Sequence, residues 1–215
     1  MKITIAGGHG QIALLLSDLL SKAGHSPIAL IRNPAHADEV RAAGAEPVLL
    51  DLESSSLADV ASALDGSDAV VFAAGAGPGS GAERKLTVDR DGAILLANAA
   101  AAAGVRRVVV ISAIGADTFD ATSAEEFQVY LRAKSEADAS VRALDLDWTI
   151  VRPGTLVDTP GTGLIAAGTE VSRGSISRAD VATVIAASIT GSAALRTQFE
   201  VVAGTTPVGE ALAAL

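Results

Sequence analysis

Three places in this chain hold residues whose types and spacing could do chemistry. The first is Gly7-Gly8-His9-Gly10-Gln11-Ile12-Ala13, which follows the apolar run KITIA and leads into QIALLLSDLL. Glycines between a strand and a helix let the chain turn sharply, and they let its backbone approach a pyrophosphate more closely than a Cβ permits. The helix starting there presents unpaired N–H groups and the positive end of its dipole to phosphate oxygens. Ala13, the last position of the motif, is small enough for the helix to pack on the strand. In a chain with 21 glycines the string G-x-x-G-x-x-A is weak by itself. Its place directly after the first strand makes it a dinucleotide signature, against the competing reading of a plain tight turn. His9 stands in the loop either as a donor to phosphate or as a solvated side chain.

The second place is the end of the next apolar run, IALIRNP, where Arg32 and Asn33 replace the Asp or Glu that NAD-specific folds offer to the ribose hydroxyls. A guanidinium matches a 2′-phosphate as a bidentate partner, so this strand end favours NADP(H) over NAD(H). A solvated arginine is the competing reading. The third place joins Tyr130 and Lys134, four apart and therefore on one face of a predicted helix, with Ser112. Ser112 falls at the carboxyl end of the predicted fifth strand, where open α/β sheets bind ligands. Against this, Y-x-x-x-K arises by chance on amphipathic helices, and Lys134 could simply pair with Asp138. His9, His25 and His36 are too scattered for a metal site. Asp180 reads as an acid at a helix start, with a structural role. Trp148 reads as core, and Arg152 as either a loop anchor or a substrate contact.

These residues need a scaffold, and the sequence describes one. Short β-branched runs alternate with Ala- and Leu-rich stretches, the pattern of an α/β fold. The expected architecture is a Rossmann-type, doubly wound, mostly parallel sheet of about seven strands flanked by helices. Strands are predicted at 2–6, 27–31, 46–50, 69–73, 107–112, 148–151 and 199–202, and helices at 11–22, 35–43, 57–64, 88–103, 124–143 and 179–190. Gly24, Gly44 and Gly104 each follow a helical stretch, as left-handed terminal residues do. Ser123-Ala-Glu-Glu126 reads as a capping box for the helix carrying Tyr130. Residues 75–81 (GAGPGSG) read as a mobile loop. Residues 153–175 show no period and read as a pocket loop or a surface connection.

The 215 residues suit one domain over 1–215, with a small substrate-side portion from about 153. A net charge of −9 with scattered basic residues argues against a nucleic-acid partner. No apolar run approaches the ~18 residues of a membrane span. MKITIAGG lacks the regions of a signal peptide, and there is no cysteine, so a cytoplasmic location is expected.

The chain resembles the atypical short-chain dehydrogenase/reductases, in particular their compact NmrA-like and flavin-reductase-like members. The pieces that carry the likeness are GGHGQIA at 7–13, RNP at 32–34, DL at 51–52, FAAGAG at 72–77 and VDRDGAILLANAA at 88–100. VVVISAIGA at 108–116, YLRAK at 130–134, WTIVRPG at 148–154 and ISRADVA at 176–182 continue it. The resemblance implies that Asp51 and Leu52 border the adenine and that the Phe72–Gly75 segment, with Ala73, Ala74 and Gly75, passes over its ribose. It places the helix with Asp89 and Asn98 beside the cofactor, and Pro153 and Gly154 at the nicotinamide wall. It implies roles for the third group as well. Lys134 lowers the Tyr130 pKa and holds the nicotinamide ribose, Tyr130 donates a proton as hydride arrives, and Ser112 orients the substrate oxygen. Monomers or weak homodimers are usual in such families.

The leading expectation is an NADPH-dependent oxidoreductase acting on a small carbonyl, quinone or flavin-like acceptor, with the hydride supplied by the cofactor. Its rival is a non-catalytic NADP(H) sensor. A nucleotide-sugar epimerase or dehydratase is disfavoured, since only about 60 residues follow Pro153.

Overall fold

The computed structural model describes residues 1–77 and 79–215; Pro78, in the 75–81 segment expected to be mobile, lies outside the described residues. The apolar runs become β1 (Lys2–Ala6), β2 (Ser26–Ile31), β3 (Glu46–Leu49), β4 (Ala69–Phe72), β5 (Arg107–Ile111) and β6 (Asp147–Pro153). They pair in parallel in the order β3-β2-β1-β4-β5-β6. β4 and β5 are buried along their whole length, as strands covered on both faces must be.

The period of two sorts their side chains. Ile3, Ile5, Val71 and Val109 pack on α1 (Gln11–Lys22), and across the same face on α7 (Arg178–Thr190) and α8 (Val208–Ala213). Val70, Phe72, Val108 and Val110 point to the other face. There they meet α3 (Leu57–Ala63), α5 (Ala93–Ala102) and α6 (Glu126–Arg142). A smaller cluster under α2 (Ala37–Ala42) closes the β2 side. Strand order reverses between β1 and β4, which opens a crevice at their carboxyl ends.

Among the described residues the main sheet has nine strands, against the expected number of about seven. β10 (Thr197–Ala203) lies parallel to β6, and β8 (Leu164–Gly168) and β11 (Thr206–Pro207) extend the edge antiparallel. β7 (Thr155–Val157) and β9 (Ser175–Ser177) form a separate parallel pair. The 153–175 segment is thus partly strand. Its runs TLV and LIAAG are short and mostly half-buried or exposed, so they carry no alternation to read. Asp180 ties this region down: its carboxylate accepts from the Thr162 and Gly163 N–H groups and from the Ser177 hydroxyl that caps α7.

Two helix starts also differ. The helix predicted from Val88 begins earlier, as a turn at Ala82–Arg84 (α4) and a π-helical segment Lys85–Gly92 that runs into α5. α6 begins at Glu126 with Glu125 as its N-cap, so Ser123 makes no capping box. The Ser123 hydroxyl accepts from the Glu125 N–H in a tight turn instead.

Candidate functional site

The glycine loop is shaped first by the protein around it. Gly7 has φ +75°, and a Cβ there would lie 2.5 Å from the Ala74 Cα; one on Gly8 would lie 2.4 Å from the Ala29 Cβ. These two glycines therefore let the turn pack against the chain after β4 and against β2, a stronger demand than closeness to a ligand. Gly10 differs: its Cβ would meet nothing closer than the Gly7 carbonyl at 3.2 Å. Gly10 is also the N-cap of α1 and offers no side-chain cap, so the first N–H groups of this twelve-residue helix stay free for an anion.

The loop opens into a cleft of about 320 Å³ lined by Gly7, Gly8, His9, Gly10, Arg32, His36, Asp51, Leu52, Glu53, Ala73, Ala74, Gly75 and Arg84, among others. Gln11 and Asn33 do not line it. Gln11 faces outward, and the Asn33 side chain caps the turn at Pro34–His36 by accepting from the Ala35 N–H. His9 lines the cleft with its ring engaged: Nε2 lies 2.7 Å from Glu39 and the ring stacks on His36 at 3.5 Å. Glu53 carries no signal in the sequence because it stands in a loop, directly after the Asp51-Leu52 pair. Its carboxylate receives Arg32 at 3.3 Å, Thr87 at 2.7 Å, and Arg84 in a short ion pair. The Arg84 hydrogen bond, with Thr87 and Arg32 helping, holds the Glu53 carboxyl below its usual pKa.

Ala73, Ala74 and Gly75 also border a second, larger cavity of about 850 Å³. Ile12, Ser112, Tyr130, Lys134, Pro153 and Gly154 line it, with apolar walls from Ile111, Ile114, Phe127, Leu131 and Leu156. The three predicted catalytic residues therefore share one space. β5 carries Ser112 just past its end, and α6 carries Tyr130 and Lys134 one turn apart.

The charges around them are paired differently from the i,i+4 expectation. Lys134 is buried, and its Nζ donates to the Ile111 carbonyl at 3.0 Å and lies 3.3 Å from Asp89. Asp89, from the π segment, is itself buried and accepts from the Ala76 N–H. Asp138 turns to other partners: Arg152 at 2.7 and 3.0 Å, and the Ser112 hydroxyl, which donates to it at 2.7 Å. Arg152 also grips Asp117 with both terminal nitrogens, so it is a loop anchor. Lys85, a second buried lysine from the π segment, donates to the Gly77 carbonyl. The Lys85 and Lys134 ammonium groups each lie 5.7 Å from the centre of the Tyr130 ring.

Burial pushes the Tyr130 phenol above its usual pKa; Lys134 opposes the rise, and Asp89 and Asp138 add to it. Burial alone would push the Lys134 ammonium down, but Tyr130, Asp89 and Asp138 outweigh it and raise its pKa. The pairings of Lys134 with Asp89 and of Ser112 with Asp138, 45 and 26 residues apart, and the turn of Lys85 to the Gly77 carbonyl leave no local signal in the sequence. Asn98, expected beside the cofactor, lies exposed on α5 and donates back to the Ile94 carbonyl.

Two adjoining cavities that share the Ala73–Gly75 segment, with a free helix terminus in one and a tyrosine–lysine pair in the other, fit a nicotinamide dinucleotide spanning the crevice. A family model described as NAD(P)H-binding matches residues 7–191. The chain belongs to the NAD(P)H-binding family. It is 39% identical over 213 residues to YhfK of Bacillus subtilis (strain 168), named an uncharacterized sugar epimerase, with 99% of each chain covered. It matches the structure of a protein provisionally named an NAD-dependent epimerase/dehydratase from Bacillus halodurans over 100% of both chains, at 35% identity and a TM-score of 0.93. The oxidoreductase ylbE from Lactococcus lactis is similar too, at 29% identity and a TM-score of 0.87, with 100% of this chain and 96% of that one covered. The fold is that of an atypical short-chain dehydrogenase/reductase. Among the described residues, no helix is long and apolar enough to cross a membrane, and no group of three or more His, Asp or Glu could hold a metal ion.

Proposed function

We propose that this protein is an NADP(H)-dependent oxidoreductase whose cofactor lies across the two cavities and whose substrate is a small carbonyl, quinone or flavin-like acceptor. The observation that carries this is the common cavity of Ser112, Tyr130 and Lys134, bordered by the Ala73–Gly75 segment it shares with the nucleotide cleft. The first N–H groups of α1, with Gly7, Gly8 and Gly10, would hold the pyrophosphate. Asp51 and Leu52 would border the adenine, and Lys134, Pro153 and Gly154 the nicotinamide half. Bound NADPH would supply the hydride. Tyr130 would then hand its proton to the acceptor oxygen; a phenol is protonated at neutral pH, and burial raises its pKa further. To orient that oxygen, Ser112 would turn toward it the hydroxyl proton that it gives here to Asp138.

Preference for the 2′-phosphate rests on Arg32 and Arg84, which converge from different elements on one point in the cleft. Glu53 lies between them. It supports a second reading, NAD(H), because a carboxylate there could accept from the ribose hydroxyls as the β2 acid of other folds does. Titrating the protein with NADPH and with NADH separates the two.

The names of the relatives point to a further class, sugar epimerisation, and YhfK is matched over 99% of both chains, so chain length does not argue against it. An epimerase returns its hydride and leaves the cofactor unchanged, whereas a reductase consumes NADPH. The test is NADPH oxidation against a panel of quinones, flavins and small carbonyls, with Tyr130→Phe beside the wild type. Turnover should fall by about 10²-fold or more in the mutant while NADPH binding persists. Turnover indifferent to the mutation would remove Tyr130 from the mechanism. Tight NADPH binding with no acceptor oxidising it would favour the non-catalytic sensor.

A further inference from the structure

We infer that the acceptor carries a carboxylate and that Arg173 binds it; this rests on the reading of the larger cavity as the substrate site. Every other arginine among the described residues has a carboxylate, amide or carbonyl partner. Arg32 and Arg84 meet Glu53, Arg41 meets Asp38, Arg90 meets Asp91, and Arg106 and Arg196 meet Asp145 and Asp147. Arg132 meets Glu136, Arg152 meets Asp117 and Asp138, and Arg178 meets Asp158. Arg107 binds backbone carbonyls and Arg142 binds Gln198. Arg173 is exposed, has neither an ion pair nor a hydrogen bond among the described residues, and lines the larger cavity.

The rest of that lining sharpens the point. Among the described residues no Asp or Glu lines the cavity, although the chain has 25 acids to 16 basic residues. Its other cation, Lys134, is already engaged by Asp89 and the Ile111 carbonyl. The backbone beside Arg173 is held in place: the next residue, Gly174, accepts from the Thr155 N–H at 3.0 Å, and a Cβ on Gly154 would strike its carbonyl at 2.3 Å. Backbone this closely packed fixes where the Arg173 side chain starts. A lone guanidinium offers a planar fork that fits one carboxylate, with Thr155 and Ser175 beside it as neutral donors. A phosphate dianion would find only half its charge met.

The test is calorimetric titration with benzoate and with its neutral isostere benzamide, on the protein with and without NADP+. The wild type should bind benzoate more tightly than benzamide. Arg173→Gln should weaken benzoate about tenfold, Arg173→Lys should keep part of the difference, and benzamide and NADPH affinities should not move. Equal binding of the two probes to wild type, or no detectable benzoate binding, overturns the proposal. So does an Arg173→Gln variant that loses NADPH affinity, since Arg173 would then belong to a cofactor phosphate. Because the readout is binding, it stands apart from turnover. A protein that reduces nothing yet discriminates benzoate through Arg173 would refute the oxidoreductase reading alone.

Discussion

Tyr130 is the only tyrosine in the chain, so its ionisation can be watched without interference. Burial drives its pKa up more strongly than Lys134 draws it down. An ultraviolet titration should therefore show phenolate forming above the usual value of about 10, and Lys134→Met should move the midpoint further up. A midpoint below that of free tyrosine would mean that the lysine dominates and that Tyr130 is poised as a base. The sign for stability follows. The unfolded phenol loses its proton first, so the folded state is destabilised as pH rises through about 10 toward the folded pKa. Glu53 makes the parallel case in the nucleotide cleft. Held ionised by Arg84, Thr87 and Arg32, it occupies the guanidinium groups that a 2′-phosphate would need. Glu53→Gln should tighten NADPH by roughly twofold to tenfold, in line with a partly exposed ion pair, and leave NADH nearly unchanged. An NADH affinity that falls instead would assign Glu53 to the ribose hydroxyls.

The elements that position these residues were legible in the sequence to different degrees, for physical reasons. β1, β2, β4 and β5 are buried apolar runs bounded by glycines or polar residues, and their own composition marks them. The glycine loop and the Tyr130–Lys134 pair were legible because both are local patterns, seven and five residues long. The Lys134–Asp89 and Ser112–Asp138–Arg152 pairings were hidden because they are made between different elements, and neither member carries a mark of its partner. The π segment was hidden too, since its residues KLTVDRDG lack a 3.6-residue apolar period. Its wider turn places Lys85 and Asp89, four apart, both inward and toward α6. The segment ends at Gly92, where the space is open enough for a side chain. A Cβ there would sit 3.5 Å from Leu52 Cδ1 and 3.7 Å from Phe72 Cε2, ordinary contacts, and its φ of −63° is helical. Gly92→Ala should thus stabilise the protein by about 0.5–1 kcal/mol through the unfolded chain, read as a higher urea midpoint with unchanged slope. A destabilised variant would show that the π turn needs glycine's freedom.

At the scale of the whole molecule, the nucleotide crevice joins the two halves of the sheet at the β1–β4 switch, so a ligand there touches both sides of the main core. Anything that binds only the folded chain stabilises it by RT ln(1 + [L]/Kd), about 2.7 kcal/mol at a hundredfold excess over Kd. For a chain of this size that should raise the melting temperature by roughly 6–10 °C. The net charge of −9 works against an anionic ligand at long range, so the gain must come from the short-range donors of the loop and from Arg32 and Arg84. Gly10→Ala isolates that contribution. Its Cβ would meet the Gly7 carbonyl at 3.2 Å and the Ala73 carbonyl at 3.8 Å, while the equivalent atom at Gly7 would strike Ala74 at 2.5 Å. Gly10→Ala should fold with a near-normal melting temperature and lose most of the NADPH-induced rise, because the new methyl group crowds the start of α1 where phosphate would lie. Gly7→Ala should lose the fold's own stability, with or without cofactor. Should Gly10→Ala keep the full rise, the pyrophosphate would have to be held elsewhere, and the free terminus of α1 would no longer account for nucleotide binding.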